Sequence, residues 1–535
     1  MDLTTNIFKT LIRLCNIKST SGTTEEMAAT EGISSLISEI GYFKENTHAL
    51  KIHEIENDPL KREFITAMYE GGDSKKIVVL LSHFDVVGIE EFGHLKEYAY
   101  SPVEYTKKLR YETLKGAAKK DLDTGDWLFG RGTMDMKCGL AIHIELLRYI
   151  YENTIEFDGN ILLLTVPDEE NSSAGMLSAV NYLSYLKGKG YEIQSVINSE
   201  PYFEEFPGDE NKYIYTGSVG KLLPFIFFAG VETHVGEPFN GISSSLMSSI
   251  TTSLIEGNTQ LCESYGCYTA PPPVCLKQED LKSLYSVSTP CYSYAYYNYM
   301  TLTSSPEDVI DKIKGVCEKA FDMALDKMKI ESGKYSALSG KKVPGLNLKA
   351  NIITYDELCK LLENRGIDIE HIKNKYKNSK LDTRDLTSAI VSDMLKFIPE
   401  LRPIMVIGFA PPYYPHRKAD TNSSNILDVC HKVMERSQNV FNERLSHKEF
   451  FPGLCDLSYL GLENTDDYYT LKSNMPVFGT SYNLPVDALS NINIGGMNIS
   501  VMGKDAHKYT ERLNMPYSFK VTPDLVYYAI MEFLG

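Results

Sequence analysis

The chain has 535 residues, 43% hydrophobic and 23% charged, which is more than one ordinary domain needs and ample for a core. A formal net charge of −17 and a pI near 5.2 exclude nucleic acid and anionic membrane as expected partners, because phosphate binding needs clustered Lys and Arg. No stretch approaches about 18 uninterrupted apolar residues, so no membrane span is expected. Met1-Asp2-Leu3-Thr4-Thr5-Asn6 lacks the basic-then-apolar pattern of a signal peptide. The ten cysteines include no Cys-x-x-Cys pair and read as reduced thiols of a cytoplasmic protein.

Ile7, Leu11 and Leu14 share one helical face. Ser19-Thr20-Ser21-Gly22-Thr23 breaks it, and Thr23 or Thr24 caps a second helix ahead of Glu25 and Glu26. Strands follow near 62–68 and 77–82, and residues 88–125, charged and without periodicity, read as a long loop with a hairpin. Leu140, Ile144, Leu147 and Tyr151 place a helix over 137–151. Strand 161–166, helix 173–187 and strand 195–199 continue a β-α-β rhythm. The style then changes. Strands over 213–231, a helix over 243–256, a Tyr-rich strand near 291–302, a helix over 308–328 and helical material over 355–400 form an insert without metal-type clusters. A strand over 402–410 stops at Pro411-Pro412. A helix over 422–440, strands near 475–480 and 497–502 and a terminal helix from 522 resume the first domain. The expected architecture is α/β with a mixed, mostly parallel sheet, its catalytic domain formed by 1–212 and 415–535 around an inserted domain at 213–414.

Chemistry-bearing residues stand at the ends of apolar runs. His83-Phe84-Asp85 follows Ile77-Val78-Val79-Leu80-Leu81. Asp168-Glu169-Glu170 follows Ile161-Leu162-Leu163-Leu164-Thr165-Val166. Glu200 comes shortly after Val196-Ile197, and His507 after Ile499-Ser500-Val501. Such runs read as buried parallel strands, beyond whose carboxyl ends ligands bind. Asp135 sits in Gly130-Arg131-Gly132-Thr133-Met134-Asp135-Met136-Lys137. Singly, each has a plainer reading: His83 a satisfied strand-end histidine, Glu169-Glu170 a solvated loop, Asp135 a helix cap. Together they make the ligand set of a two-metal hydrolytic site. Asp85 is the candidate orienter of His83. A bridging role suits Asp135, whose carboxylate has two oxygens. Of the adjacent Glu169 and Glu170, one can bind metal while the other serves as base.

Ser82-His83-Phe84-Asp85-Val86-Val87, Gly130-Arg131-Gly132 with Asp135-Met136-Lys137, Asp168-Glu169-Glu170, Ser199-Glu200-Pro201 and Gly503-Lys504-Asp505-Ala506-His507, with Glu511 beyond, resemble the motif series of the dizinc aminoacylase, carboxypeptidase and desuccinylase family of metallopeptidases. The insert and Phe409-Ala410-Pro411-Pro412-Tyr413-Tyr414-Pro415 resemble its arginine-utilisation (RocB-like) branch. The resemblance implies a zinc-exopeptidase-like catalytic domain with an inserted α+β lid. It implies two divalent ions, zinc or else cobalt or manganese, which the same ligands accept. His83 and Glu200 would hold one ion and Glu170 and His507 the other. Asp135 would bridge them, with a cis peptide to Met136. Asp85 would orient His83, and Glu169 would be the general base. His234, in Thr233-His234-Val235-Gly236, resembles the lid histidine that stabilises an oxyanion, in dimeric members from the partner subunit, so a homodimer through the lid is admitted.

The substrate so implied is a small peptide or N-acyl amino acid, cleaved at its amide bond. Departures from the family pattern include Cys138 and Ser172-Ser173 in place of glycines. Asn298-Tyr299-Met300 stands where many members carry Asp-x-Arg, which argues against a free-carboxylate substrate unless Arg402, Arg417 or a lysine substitutes for the missing arginine. Two other readings stay open: a metal-binding, non-hydrolytic assembly or ligand-sensing protein, against which the intact Glu169 argues, and a hydrolase acting on a guanidino or urea-like carbon.

Overall fold

The computed structural model describes residues 2–206, 208–209, 211–343, 346, 348–377, 379–418, 424–462 and 464–535. The chain forms two compact units. The first holds Met1–Ser218, Arg417–Glu463 and Pro485–Gly535, the second Val219–His416 and Asn464–Leu484.

The apolar runs of the first unit pair as their composition demands. β1 (Leu50–Glu54), β2 (Glu63–Glu70), β3 (Lys76–His83), β4 (Asn160–Val166), β5 (Glu192–Asn198), β6 (Lys212–Tyr215), β7 (Leu445–Lys448) and β8 (Gly496–Ile499) form one sheet, in the order β1-β2-β4-β3-β5-β8-β6-β7. The four central strands run parallel, with His83 opposite Val166 and Leu81 opposite Asn198. Antiparallel β2 and β6 flank them. Val78, Leu80, Ile161, Leu163 and Ile197 are fully buried in the core, with α1 (Thr4–Asn16), α3 (Lys137–Glu152) and α6 (Thr522–Leu534) packed alongside; the unit also contains α2 (Glu25–Ser38), α4 (Ala174–Gly188) and α5 (Ser424–Arg436). The carboxyl ends of β3, β4 and β5 therefore lie side by side, which gathers the predicted motifs.

Residues 88–125 are helical rather than a loop with a hairpin. They comprise Glu90–Tyr98, Pro102–Leu109 and Gly116–Thr124. Phe92, Tyr105, Leu109 and Leu122 from these pieces close a small core over Phe129 and Trp127, the only tryptophan of the chain. Trp127 lies in Trp127–Phe129, which pairs antiparallel with Arg512–Asn514, and the Lys504 and Arg512 side chains stack over its ring.

In the second unit, strands Val274–Asp280, Tyr292–Thr301, Gly220–Ala229, Ile404–Tyr414 and Asn351–Thr354 lie in that order in one sheet. Helices Ser244–Ile255 and Pro306–Ser339 pack against each other and on this sheet. Ser305 and Asp308 form a reciprocal capping box, and Pro306 opens the longer helix. Two expectations differ from the structure. The strand ending the insert runs through Pro411-Pro412 to Tyr414; its register shifts between Ala410 and Tyr414, where no ladder donor is required of the prolines. Residues 475–480 form no strand, and 464–484 pack with the second unit rather than with a closing segment 415–535. There the Asp356 amide donates to Asn474 Oδ1 (3.1 Å) and the Tyr413 amide to the Tyr482 hydroxyl (3.1 Å).

Two helical glycines give opposite expectations. Replacing glycine by alanine inside a helix normally stabilises by about 1 kcal/mol. At Gly315 a methyl group meets nothing within 4 Å, so Gly315→Ala raises the thermal midpoint of the transition that contains the second unit. At Gly139 it would lie 2.7 Å from the Ser199 carbonyl oxygen, so Gly139→Ala destabilises by about 1–3 kcal/mol. Scanning calorimetry checks both; a stabilised Gly139→Ala would mean that α3 and the segment before Glu200 are not in close contact.

Candidate metal centre

Each predicted ligand arrives from a different turn at the carboxyl edge of the sheet. His83 closes β3, Glu169 and Glu170 follow β4, Glu200 follows β5, Asp135 lies just before α3, and His507 lies beyond β8. The structure brings them together. His83 Nε2 is 3.3 Å from Asp135 Oδ1 and 3.2 Å from Glu200 Oε1. His507 Nε2 is 3.2 Å from Asp135 Oδ2 and 3.1 Å from Glu170. The two oxygens of Asp135 thus face two different histidines. Donor atoms of His83, Asp135 and Glu200 lie within 4.8 Å of one another, as do those of Asp135, Glu170 and His507. Glu169 stands with His83 and Glu170 in a third such group, its Oε2 3.9 Å from His83 Nε2. The Asp135–Met136 peptide is cis.

Asp85 is fully buried. His83 Nδ1 lies 3.1 Å from its backbone carbonyl and 3.5 Å from its carboxylate. The carboxylate itself accepts the backbone N–H groups of Glu169 (3.1 Å) and Glu170 (3.1 Å). One residue therefore holds both the imidazole and the acid-bearing turn. In that turn Asp168 and Ser173 have positive φ, 68° and 52°. Ser173 adopts there a left-handed conformation that glycine reaches more easily. Arg131, also buried, donates to Glu511 and, at 3.1 Å, to the His507 carbonyl. Lys137 donates to the carbonyls of Leu14 (3.1 Å) and Ile17 (2.7 Å), and burial lowers its pKa to about 8.

Like charges crowded out of water shape the titration. Burial pushes Glu169 well above the carboxylate range and Glu200 to about 7. His83 is raised well above its ordinary value, because Glu200, Asp135 and Asp85 outweigh the penalty of burial. Hydrogen bonds to Asp135 and Glu170 lift His507 to about 11. Asp456 was not among the sequence candidates. It is buried beside this cluster, and burial raises its carboxyl to about 8, opposed by His83 and aided by Asp85 and Glu200. It stands alone in Leu454-Cys455-Asp456-Leu457-Ser458, with neither a motif nor a strand end to mark it.

His234 lies in the second unit and is exposed. Its Nδ1 accepts the Gly236 amide at 3.1 Å, and its backbone bridges to Ser288. Tyr299, in the strand where the family pattern carries an arginine, is buried and donates to the Leu261 carbonyl (2.8 Å). Arg402 stacks on the Tyr292 ring, and Arg417 holds Asn493 Oδ1 (3.0 Å) and the Ile494 carbonyl (3.2 Å).

The sequence profile of peptidase family M20/M25/M40 matches residues 79–471. The chain belongs to this family. The uncharacterised protein YqjN of Bacillus subtilis (strain 168) is 37% identical over 535 residues, spanning 98% of this chain and 95% of YqjN. Protein RocB of the same organism is 32% identical over 529 residues, 97% of this chain and 94% of RocB. A tripeptidase from Staphylococcus aureus subsp. aureus mu50 superposes with a TM-score of 0.55 at 13% identity, covering 100% of this chain and 99% of the tripeptidase, which shows a common fold. M20 members are hydrolases of amide bonds, and the chain is placed among them. Among the described residues no helix is long and apolar enough to cross a membrane.

A metal needs neutral imidazole and ionised carboxylate. At pH 7, below their raised pKa values, His83 and His507 carry protons in the metal-free protein. Binding of a divalent metal is therefore expected to release protons. Calorimetric titration in buffers of different ionisation enthalpy checks this, and a heat independent of the buffer would contradict it.

Proposed function

We propose that this M20 member is a two-metal hydrolase that cleaves the amide bond of a small peptide or N-acyl amino acid, in arginine or amino-acid catabolism. The observation that carries the reading is the division of Asp135, one oxygen toward His83 and the other toward His507. That arrangement suits a carboxylate shared between two ions, His83 and Glu200 completing one sphere and Glu170 and His507 the other. The full-length similarity to RocB supports the metabolic placement.

The donor set, two imidazoles and three carboxylates, fits zinc, cobalt or manganese. Two such ions supply a Lewis acid for the substrate carbonyl and an acidified water. The chain's own residues do the rest. Glu169 takes the proton of the attacking water on its carboxylate and delivers it to the leaving nitrogen. Asp85 fixes Glu169, Glu170 and His83 in register. His234, exposed in the second unit, is the proposed donor to the developing oxyanion.

A panel of dipeptides, N-acetyl and N-succinyl amino acids and guanidino compounds, assayed with zinc, cobalt or manganese, tests the reaction. Hydrolysis of the amides alone is expected; metal binding without hydrolysis of any of them would sink the proposal. Glu169→Gln should keep its metal while activity falls at least about a hundredfold. Glu170→Gln should lose metal. Equal metal loss in both would reverse the two roles.

His234→Ala should lower kcat by about 10²–10³, with much smaller change in KM and metal content. An unchanged kcat on the best amide of the panel would remove His234 from the mechanism.

A further inference from the structure

Arg62 belongs to none of the motifs, yet it is buried in the first unit among three carboxylates. Its Nε lies 3.1–3.2 Å from the two Asp58 oxygens, and its Nη2 donates to Asp58 Oδ1 at 2.7 Å. That fork leaves Nη1 to reach Glu26 Oε2 at 3.4 Å and Asp168 Oδ1 at closer range. Asp168 in turn organises the acid-bearing turn. Its carbonyl accepts the amides of Asn171 (3.3 Å), Ser172 (3.1 Å) and Ser173 (2.6 Å), and its carboxylate accepts the Ala174 amide (3.1 Å) at the start of α4.

The other end of the network reaches the His83 segment. Glu26 accepts the Gly22 amide at 2.7 Å. Close by, the Ser19 hydroxyl donates to the Phe84 carbonyl (2.7 Å), the Val86 amide donates to Ser19, and the Ser21 amide donates to Val86. Asp85 then grips the Glu169 and Glu170 amides. A closed circuit results, running from Glu26 through Arg62 to Asp168, across Glu169 and Glu170 to Asp85, and back through residues 19–22.

We propose that Arg62 is a positioning residue for Glu169 and Glu170, acting through Asp168 to fix the turn that presents both carboxylates to the metal centre. The proposal rests on the roles assigned above to those two glutamates. A guanidinium suits the task because one planar group can serve three acids at fixed angles, which an ammonium cannot. A cation is required as well, since removing it would strand three carboxylates in a largely dry site.

The test uses the full-length protein with Arg62→Lys, Arg62→Met, and Arg62→Met combined with Glu26→Gln and Asp168→Asn, which lightens the stranded charge if the single variant fails to fold. Hydrogen exchange of the metal-free protein is followed over 168–174 and, as a control, over 506–512, the turn held by Arg131. Zinc affinity is measured by competition with a chromophoric chelator. Exchange at least tenfold faster over 168–174 alone is expected in every variant. Zinc binding should weaken by about 10–100-fold, the range for loss of an outer-shell partner, with kcat falling more than KM rises. Unchanged exchange and affinity would overturn the proposal, as would equal acceleration over both turns, which would mark a general loss of structure. Should the wild type take up no zinc, the two-metal reading falls, and the exchange comparison still decides whether Arg62 holds the turn.

Discussion

Asp135, Glu169, Glu170, Glu200 and, beside them, Asp456 are crowded together largely out of water, and their mutual repulsion is the constraint that the first unit is built to bear. A carboxylate cluster of this kind persists only with positive charge inside it or hydrogen bonds around it. His83 and His507 provide the first from within. Asp85, with its grip on two successive backbone amides, shows how the second is arranged. Buried Arg62, Arg131 and Lys137 stand around the cluster rather than in it, each bound to acids or to backbone carbonyls. The cations that lie outside thus position the segments they hold.

Topology makes such crowding attainable. Parallel β3, β4 and β5 deliver their carboxyl ends at one edge, so residues more than a hundred positions apart meet without long excursions of the chain. The price is steep backbone curvature just past the strands. Asp168 and His507 both take positive φ, 68° and 66°, at two turns that carry candidate ligands. Each of these turns is gripped by a different buried arginine, Arg62 on Asp168 and Arg131 on the His507 carbonyl.

The candidate ligands could be singled out in the sequence because each follows a largely apolar run or lies in a glycine-marked turn, and both patterns survive without tertiary context. Residues 88–125 were not, since three short helical pieces carry too few turns for a periodicity to emerge, and their apolar side chains find partners in Trp127 and Phe129 only after folding. Pro411-Pro412 misled by its ordinary meaning; an irregularity in the ladder lets the strand pass. Asp456 and Arg62 were invisible for a deeper reason. A lone acid among apolar residues and a lone arginine before a strand look the same whether they face water or a buried cluster. The role of Asp85 was only half legible, because its carboxylate serves backbone amides that no side-chain pattern reveals.

Trp127 is the single indole of the chain, and it lies in the first unit, nearly shielded from solvent beneath two stacked cations. Emission excited selectively at this ring is therefore a native optical signal for one unit alone, obtained without labelling. Circular dichroism, by contrast, sums the helices and strands of both. Comparing the two signals during denaturation resolves the unfolding of the first unit from that of the whole chain.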